Sequence, residues 1–418
     1  MKRLTGLCLL ALLLALRMTG NASAQPVEVL HYWTSTSETA ALDVIKSGLA
    51  QKGLVWKDFV IPGGGGESAY AVLQARAIAG DPPVAALLEG PTVQEWASLG
   101  FLASPYPASL EKSWDAVLPQ VVQQAVKYKG RYVALPTNIH RINWLWVNTD
   151  VLAAVGAAPP KTWDDFFVLA PKLKAVGYTP LLLGNEPWQE GTLFEAFLLG
   201  MSDAAFYRQV FVEHNSDAIL SSRMQYILER FRALRPYTGR PDAGKSWTQT
   251  IAALRQGKAA MLVMGDWAKA ELQQQGMGRQ LDCVPAPGTA SAFIYGVDSF
   301  ALLHAEGEAG DNKVQAQFAA VLMSPALQSR LAQRKGAIPP RRDADRSKLD
   351  RCGQASYAAF AAAEKTRQLL PSMAHSMAGT QVAREAIFRV VSHYFNHPQQ
   401  DSGQATQQLN AALQALQQ

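Results

Sequence analysis

Long apolar runs are missing from this chain beyond its first residues. The one that exists, Leu7 to Leu16, is stopped by Arg17 and is too short to span a bilayer. Lys2 and Arg3 precede it and the small residues Ala22, Ser23 and Ala24 follow it, so residues 1–24 read as a secretory signal peptide and the mature protein is expected to start near Gln25. A surplus of either charge is missing as well. Without Lys2, Arg3 and Arg17 the chain carries 36 basic against 34 acidic residues, a net charge of about +2 that disfavours a nucleic-acid partner. The one basic cluster, Arg341, Arg342 and Arg346, is interrupted by Asp343 and Asp345 and reads as a solvated face. Cysteine is scarce: beyond the leader only Cys283 and Cys352 remain, with no histidine near either. They make a poor metal site. In an oxidising compartment an even pair is most simply one disulfide, with two buried free thiols as the alternative.

What is present is an alternation of helical and strand patterns long enough for two cores. In "TWDDFFVLAPKLKAVG" Thr162 can cap a helix, Asp165 completes a capping box, Phe166, Leu169 and Leu173 share one face, and Gly177 ends it. The apolar runs "VEVL", "PLLL" and "AAMLVM" read as strands buried on both sides, and a Gln-rich end keeps Leu409, Leu413 and Leu416 on one helical face. This pattern implies sheets covered by helices, an α/β fold. "IPGGGGESAY" places four glycines between a strand and a helix. The lysine and hydroxyl of a nucleotide loop are absent, and Glu67 would repel an anion, so a backbone approach to a neutral ligand is preferred over a phosphate cradle, with a flexible connection as the bland reading.

The segments "WVNTDVLAAVGAAPPKTWDDF", "QGKAAMLVMGDWAKAEL" and "RKGAIPPR" resemble those of the sugar-specific extracellular solute-binding proteins that serve ABC importers, and "LHYWTS" is similar to the aromatic opening of the bacterial glucose/mannose-binding branch. The resemblance covers essentially the whole mature chain. It implies a two-lobed periplasmic binding protein of the type II kind, each lobe a sheet flanked by helices, joined by a hinge: residues 25–134 and 297–342 in the first lobe, 135–296 and 343–418 in the second, with crossings near "ALPTN" and "FIYGVD". It further implies a monosaccharide ligand of the glucose or mannose type, no cofactor, the permease subunits of an ABC importer and a chemoreceptor as partners, and a monomer in the periplasm.

Ligands of such sheets bind beyond the carboxyl ends of the strands, where Tyr32 and Trp33 follow the first one. Flat rings suit the C–H faces of a pyranose, carboxylates, a lysine and an imidazole suit its hydroxyl rim, and neither ring is needed to close a core. The resemblance extends the ligand set to Glu38, Gly65, the aromatics Trp247 and Trp267, and a polar trio of Asp298, Lys335 and His375. Taken alone, Trp267 is as readily a core residue, Asp298 and Lys335 surface charges, and His375 a structural histidine. His140 and Trp144 read as hinge packing, Trp188 as rim or core, and His393 with His397 as a surface pair and not a metal site. Two positions depart from the glucose branch: Tyr32 replaces a second tryptophan, and Leu87 replaces a ligand-contacting amide, leaving Glu89 as a substitute. Glu38 and Asp298 are also the kind of carboxylate pair a glycosidase uses, but no catalytic signature accompanies them. A receptor for an oligosaccharide or another small solute keeps the fold and changes only the ligand.

Overall fold

The structure is a computed structural model that describes residues 25–62, 67–239, 246–304 and 311–416. Residues 1–24, expected to be a signal peptide, and Gly65 lie outside the described residues. Its framework is a six-stranded and a five-stranded sheet. In the first, Leu369–Pro371, Phe293–Leu302, Ala85–Leu88, Gln25–His31 and Leu54–Val60 lie side by side, and Ala134–Arg141 pairs with Phe293–Leu302. In the second the order is Leu281–Pro285, Trp144–Asn148, Ala259–Val263, Thr179–Leu182 and Thr238–Gly239. Ala85–Leu88, Ala259–Val263 and Trp144–Asn148 are buried throughout, as apolar runs covered by helices on both faces must be.

The helix expected after Thr162 spans Trp163–Ala175, with the Thr162–Asp165 capping box formed and Phe166, Leu169 and Leu173 buried. Gly177 then takes φ 89°, a conformation that costs glycine little. The last helix, Ser402–Gln414, buries Leu409 and Leu413. Leu416, expected on the same face, lies past the helix end and is exposed.

Each sheet has its own apolar core. Strand Ala134–Arg141 runs antiparallel to Phe293–Leu302, with Asn138 opposite Asp298 and a register shift just after it. Ala134–Arg141 leads within two residues into Trp144–Asn148 of the second sheet, and Phe293–Leu302 returns from Leu281–Pro285. These paired strands are two of the passages between the two bodies, and the segment after Leu369–Pro371 is another. Helix Arg351–Thr366 packs Phe360 and Ala363 in the first core, whereas helix Gln381–Asn396 packs Ile387, Phe388 and Val391 in the second. Cys283 and Cys352 form a disulfide. It ties the edge strand of the second sheet to the first turn of Arg351–Thr366.

One glycine holds the two bodies close. Gly90 has φ 51°, and a Cβ there would fall 1.9 Å from the Ser376 carbonyl oxygen. Only glycine lets the end of strand Ala85–Leu88 meet the segment that carries His375.

Candidate functional site

A cavity of about 420 Å³ opens between the sheets, within the usual range of ligand pockets. Tyr32, Trp33, Glu38, Trp247, Trp267, Asp298, Lys335 and His375 all line it. They come from segments far apart in the chain and converge because strands of both sheets end there: Tyr32 and Glu89 follow strands of the first, Glu186 and Trp267 follow strands of the second.

The wall from the first sheet is polar. Tyr32 donates its hydroxyl to Glu89 at 2.5 Å. Burial and the neighbouring Asp298 carboxylate push Glu89 up to about 7, against the pull of the Tyr32 bond. Leu87, where an amide was expected, is buried in the first core, two residues before Glu89. The strand alternates its faces, so Leu87 and Glu89 share one side, and only the residue beyond the strand end reaches the cavity. Glu38 has a double task. Its Oε2 accepts the N–H groups of Thr34 and Ser35, at 3.0 and 2.9 Å, as the acid of a capping box on helix Thr36–Ala50. Its Oε1 lies 3.5 Å from the Lys335 ammonium, which is also 3.8 Å from Asp298.

Trp33 corrects an expectation. It lines the cavity, yet only 3% of it is exposed and it belongs to the first core. Its ring meets Phe300 edge-on at 5.7 Å, and Lys335 holds its ammonium 4.0 Å from the ring centre. One face of the ring is thus covered by a cation.

At the crossing strands His140 bridges two carboxylates. Its Nε2 is 2.8 Å from Asp298 and its Nδ1 is bonded to Asp266. Asp266 also accepts the Arg141 N–H at 2.9 Å, and Asn138 donates to Asp298 at 3.2 Å. Burial alone would lower the His140 imidazole, but the two carboxylates outweigh it and lift it to about 10. Burial would raise Asp298, but His140 and Lys335 carry it well below the usual carboxylate range. His140 was expected only to pack at a hinge. It lines the cavity as well, and nothing in sequence spacing links it to Asp266 or Asp298.

The wall from the second sheet is aromatic. Trp188, Trp247 and Trp267 are half-buried. Trp188 lies 6.5 Å from Trp247 and 6.3 Å from Trp267, ring centre to ring centre, and Trp267 meets His375 at 4.7 Å, all inclined and none parallel. Thr192 gives its hydroxyl proton to the Trp188 carbonyl at 2.8 Å. His375 Nε2, 3.1 Å from the Thr192 hydroxyl oxygen, is therefore the donor to it, and Nδ1 is left as an acceptor. Burial, with the Arg384 and His140 cations nearby, pushes His375 down to about 3, so the ring is neutral.

Glu195 fixes the His375 segment from behind. It accepts from the Ser372 and Tyr207 hydroxyls at 2.7 and 2.8 Å and from the Met373 N–H at 2.8 Å. No group of three or more metal-ligating side chains occurs among the described residues.

Two α/β bodies with the chain passing between them, and a cavity at the strand ends shared by both, define the two-lobed architecture of solute-binding proteins. The chain belongs to the family described as bacterial extracellular solute-binding protein, whose profile matches residues 37–326. It is 36% identical over 418 residues to a probable sugar-binding periplasmic protein of Rhizobium meliloti, covering 99% of each chain. Among solved structures it is similar to the bacterial solute receptor AcbH, described as having an exclusive preference for β-D-galactopyranose, with a TM-score of 0.80 at 14% identity over 94% of this chain and 100% of that one. A chitin oligosaccharide binding protein matches with a TM-score of 0.78 at 16% identity, over 94% and 99%.

Proposed function

We propose that this protein binds a neutral sugar outside the cytoplasm and hands it to an ABC importer, with a monosaccharide of the glucose or mannose type as the ligand. The observation that carries the proposal is the division of labour in the cavity: inclined tryptophans on one wall, and on the other a set of paired charges. Glu38 and Asp298 face Lys335, and Asp298 faces His140. Each of these charges already has a partner, and sugar hydroxyls can both donate to the carboxylates and accept from Lys335. The sugar-binding name of the Rhizobium meliloti relative supports the ligand class and the periplasmic location.

Support for a monosaccharide over a longer sugar is the modest cavity volume. The similar folds bind a galactopyranose in one case and a chitin oligosaccharide in the other, so fold alone does not choose. Asp298 accepts from both His140 and Asn138 and neighbours Lys335. A carboxylate so engaged suits a binding partner better than the nucleophile of a glycosidase. The lobe division we favour keeps the expected boundaries with one change, helix Arg351–Thr366 and strand Leu369–Pro371 joining the first lobe, because Phe360 packs there and the strand pairs with Phe293–Leu302.

A thermal-shift panel of glucose, mannose, galactose, xylose and short oligosaccharides tests the reading. A bound sugar at a hundred times its dissociation constant stabilises the fold by about 2.7 kcal/mol. If an oligosaccharide alone shifts the midpoint, the monosaccharide assignment falls. If only amino acids or polyamines shift it, the sugar class falls too.

A further inference from the structure

Glu271 does not line the cavity, yet each of its polar contacts leads to a different wall of it. Its Oε2 accepts the Ser37 backbone N–H at 2.9 Å, in the first turn of the helix that carries Glu38. Its Oε1 accepts from Gln275 Nε2 at 3.2 Å, and the same amide donates to the Thr248 carbonyl, also at 3.2 Å, next to Trp247. Glu271 itself belongs to helix Trp267–Gln274, which begins with Trp267.

The Ser37 bond crosses between the two bodies. Helix Thr36–Ala50 buries Ala41, Leu42 and Ile45 in the first core. Helix Trp267–Gln274 buries Ala268 and Leu272 against Trp144, Trp146 and Leu262 of the second sheet. Ser37 and Glu271 are both buried. In the first turn of a helix the N–H groups lack partners within the helix. The Ser35–Glu38 capping box satisfies the Glu38 amide and the amide of Ser35, but not that of Ser37. A carboxylate is the complement for this remaining donor, because the helix end carries partial positive charge.

We propose that Glu271 is the positioning residue that couples lobe closure to ligand retention. By taking the Ser37 amide and, through Gln275, the Trp247 helix, it draws the Glu38 wall and the two tryptophan-bearing helices together around whatever occupies the cavity. The proposal rests on the sugar-binding reading only for its choice of probe.

The test uses the full mature protein with Glu271→Ala and the near-isosteric Glu271→Gln, which keeps one acceptor oxygen for Ser37. Without ligand, small-angle X-ray scattering should show a larger radius of gyration for Glu271→Ala than for wild type, with Glu271→Gln between them. With D-glucose, D-mannose and D-galactose as probes, dissociation from Glu271→Ala should be about tenfold faster, the loss expected for one charge-assisted hydrogen bond, while association stays within about twofold. Glu271→Gln should recover part of that loss. A residue that served only the fold would lower the melting point without splitting the two rates. Folded variants with wild-type scattering and wild-type dissociation overturn the proposal. If Glu271→Ala does not fold, Glu271→Gln decides by the same two measurements. If the wild type binds none of the three sugars, the monosaccharide reading fails separately and the ligand-free scattering comparison still decides the role of Glu271.

Discussion

The ammonium of Lys335 lies 4.0 Å from the centre of the Trp33 ring, and this changes what the ring is for. Trp33 seats the cation that Glu38 and Asp298 share. Cation and ring are both almost wholly removed from water, where such a contact is worth more than at an exposed surface.

Trp33→Ala should therefore cost about 3–5 kcal/mol of folding stability, the range of a core aromatic truncated to alanine. Trp33→Phe should recover part of it, since the smaller ring still offers Lys335 a face. Urea denaturation of the two variants measures this. A loss below about 1 kcal/mol for the alanine variant would return the ring to an open cleft.

His140 predicts a pH dependence. Its folded value of about 10 lies above the ordinary 6.5, so the folded state binds the proton more tightly. The stabilisation is complete below pH 6.5 and is lost as pH rises through 10. His140→Gln removes this titration. Its unfolding free energy should start well below that of wild type at pH 6, because Asp266 and Asp298 lose their shared cation, and the gap should narrow toward pH 10. Parallel curves for the two proteins between pH 6 and 10 would mean that the imidazole is neutral between its carboxylates.

Elements were legible in the sequence where a local rule governs them, and contacts were not. Thr162, Asp165 and Phe166 announce a helix because capping and the 3.6 period act within one segment. The same kind of signal is present at Ser35 and Glu38, where the spacing fits a capping box, although from sequence Glu38 is weighed only as a ligand contact and a glycosidase carboxylate. Trp33 was misjudged because its burial depends on Phe300 and Lys335, hundreds of residues away in the chain. The partners of His140 are equally distant in the chain, Asp298 within the paired strand Phe293–Leu302 and Asp266 just past the end of Ala259–Val263, so no local spacing reveals them. Resemblance supplied what spacing could not, bringing Trp247, Trp267, Asp298, Lys335 and His375 to one cavity.

The Cys283–Cys352 bond should leave no free thiol in the unfolded, unreduced protein. The half-cystines are 69 residues apart, for which loss of loop-closure entropy sets an upper figure of about 4 kcal/mol on the stabilisation. Because the bond ties the second sheet to a helix that packs Phe360 in the first core, the Cys283→Ser/Cys352→Ser protein should also open more widely without ligand. Thiol titration and scattering check the two statements. Two titratable thiols in unreduced denaturant would remove the bond altogether.

The last prediction concerns a residue that offers the cavity no side chain. Gly265 precedes Asp266 and Trp267, and a Cβ built on it would fall 2.1 Å from the Trp267 ring. That indole cannot simply retreat, because His375 meets it at 4.7 Å, His140 at 5.4 Å and Trp188 at 6.3 Å. Gly265→Ala must therefore tilt the ring or shift the backbone, at a cost in stability of about 1–3 kcal/mol, as for other overpacked sites. If Trp267 is a sugar contact, affinity for the sugar picked out by the thermal-shift panel should also fall, by about tenfold for a loss of 1.4 kcal/mol. A double-mutant cycle separates the ring from the backbone. In a Trp267→Ala background the alanine at 265 has no indole to displace, so its effect on affinity should nearly vanish, while each single variant binds weakly. Calorimetric titration of the four proteins gives the coupling directly. Additive losses would show that Gly265→Ala acts through the backbone and that the Trp267 ring does not hold the ligand.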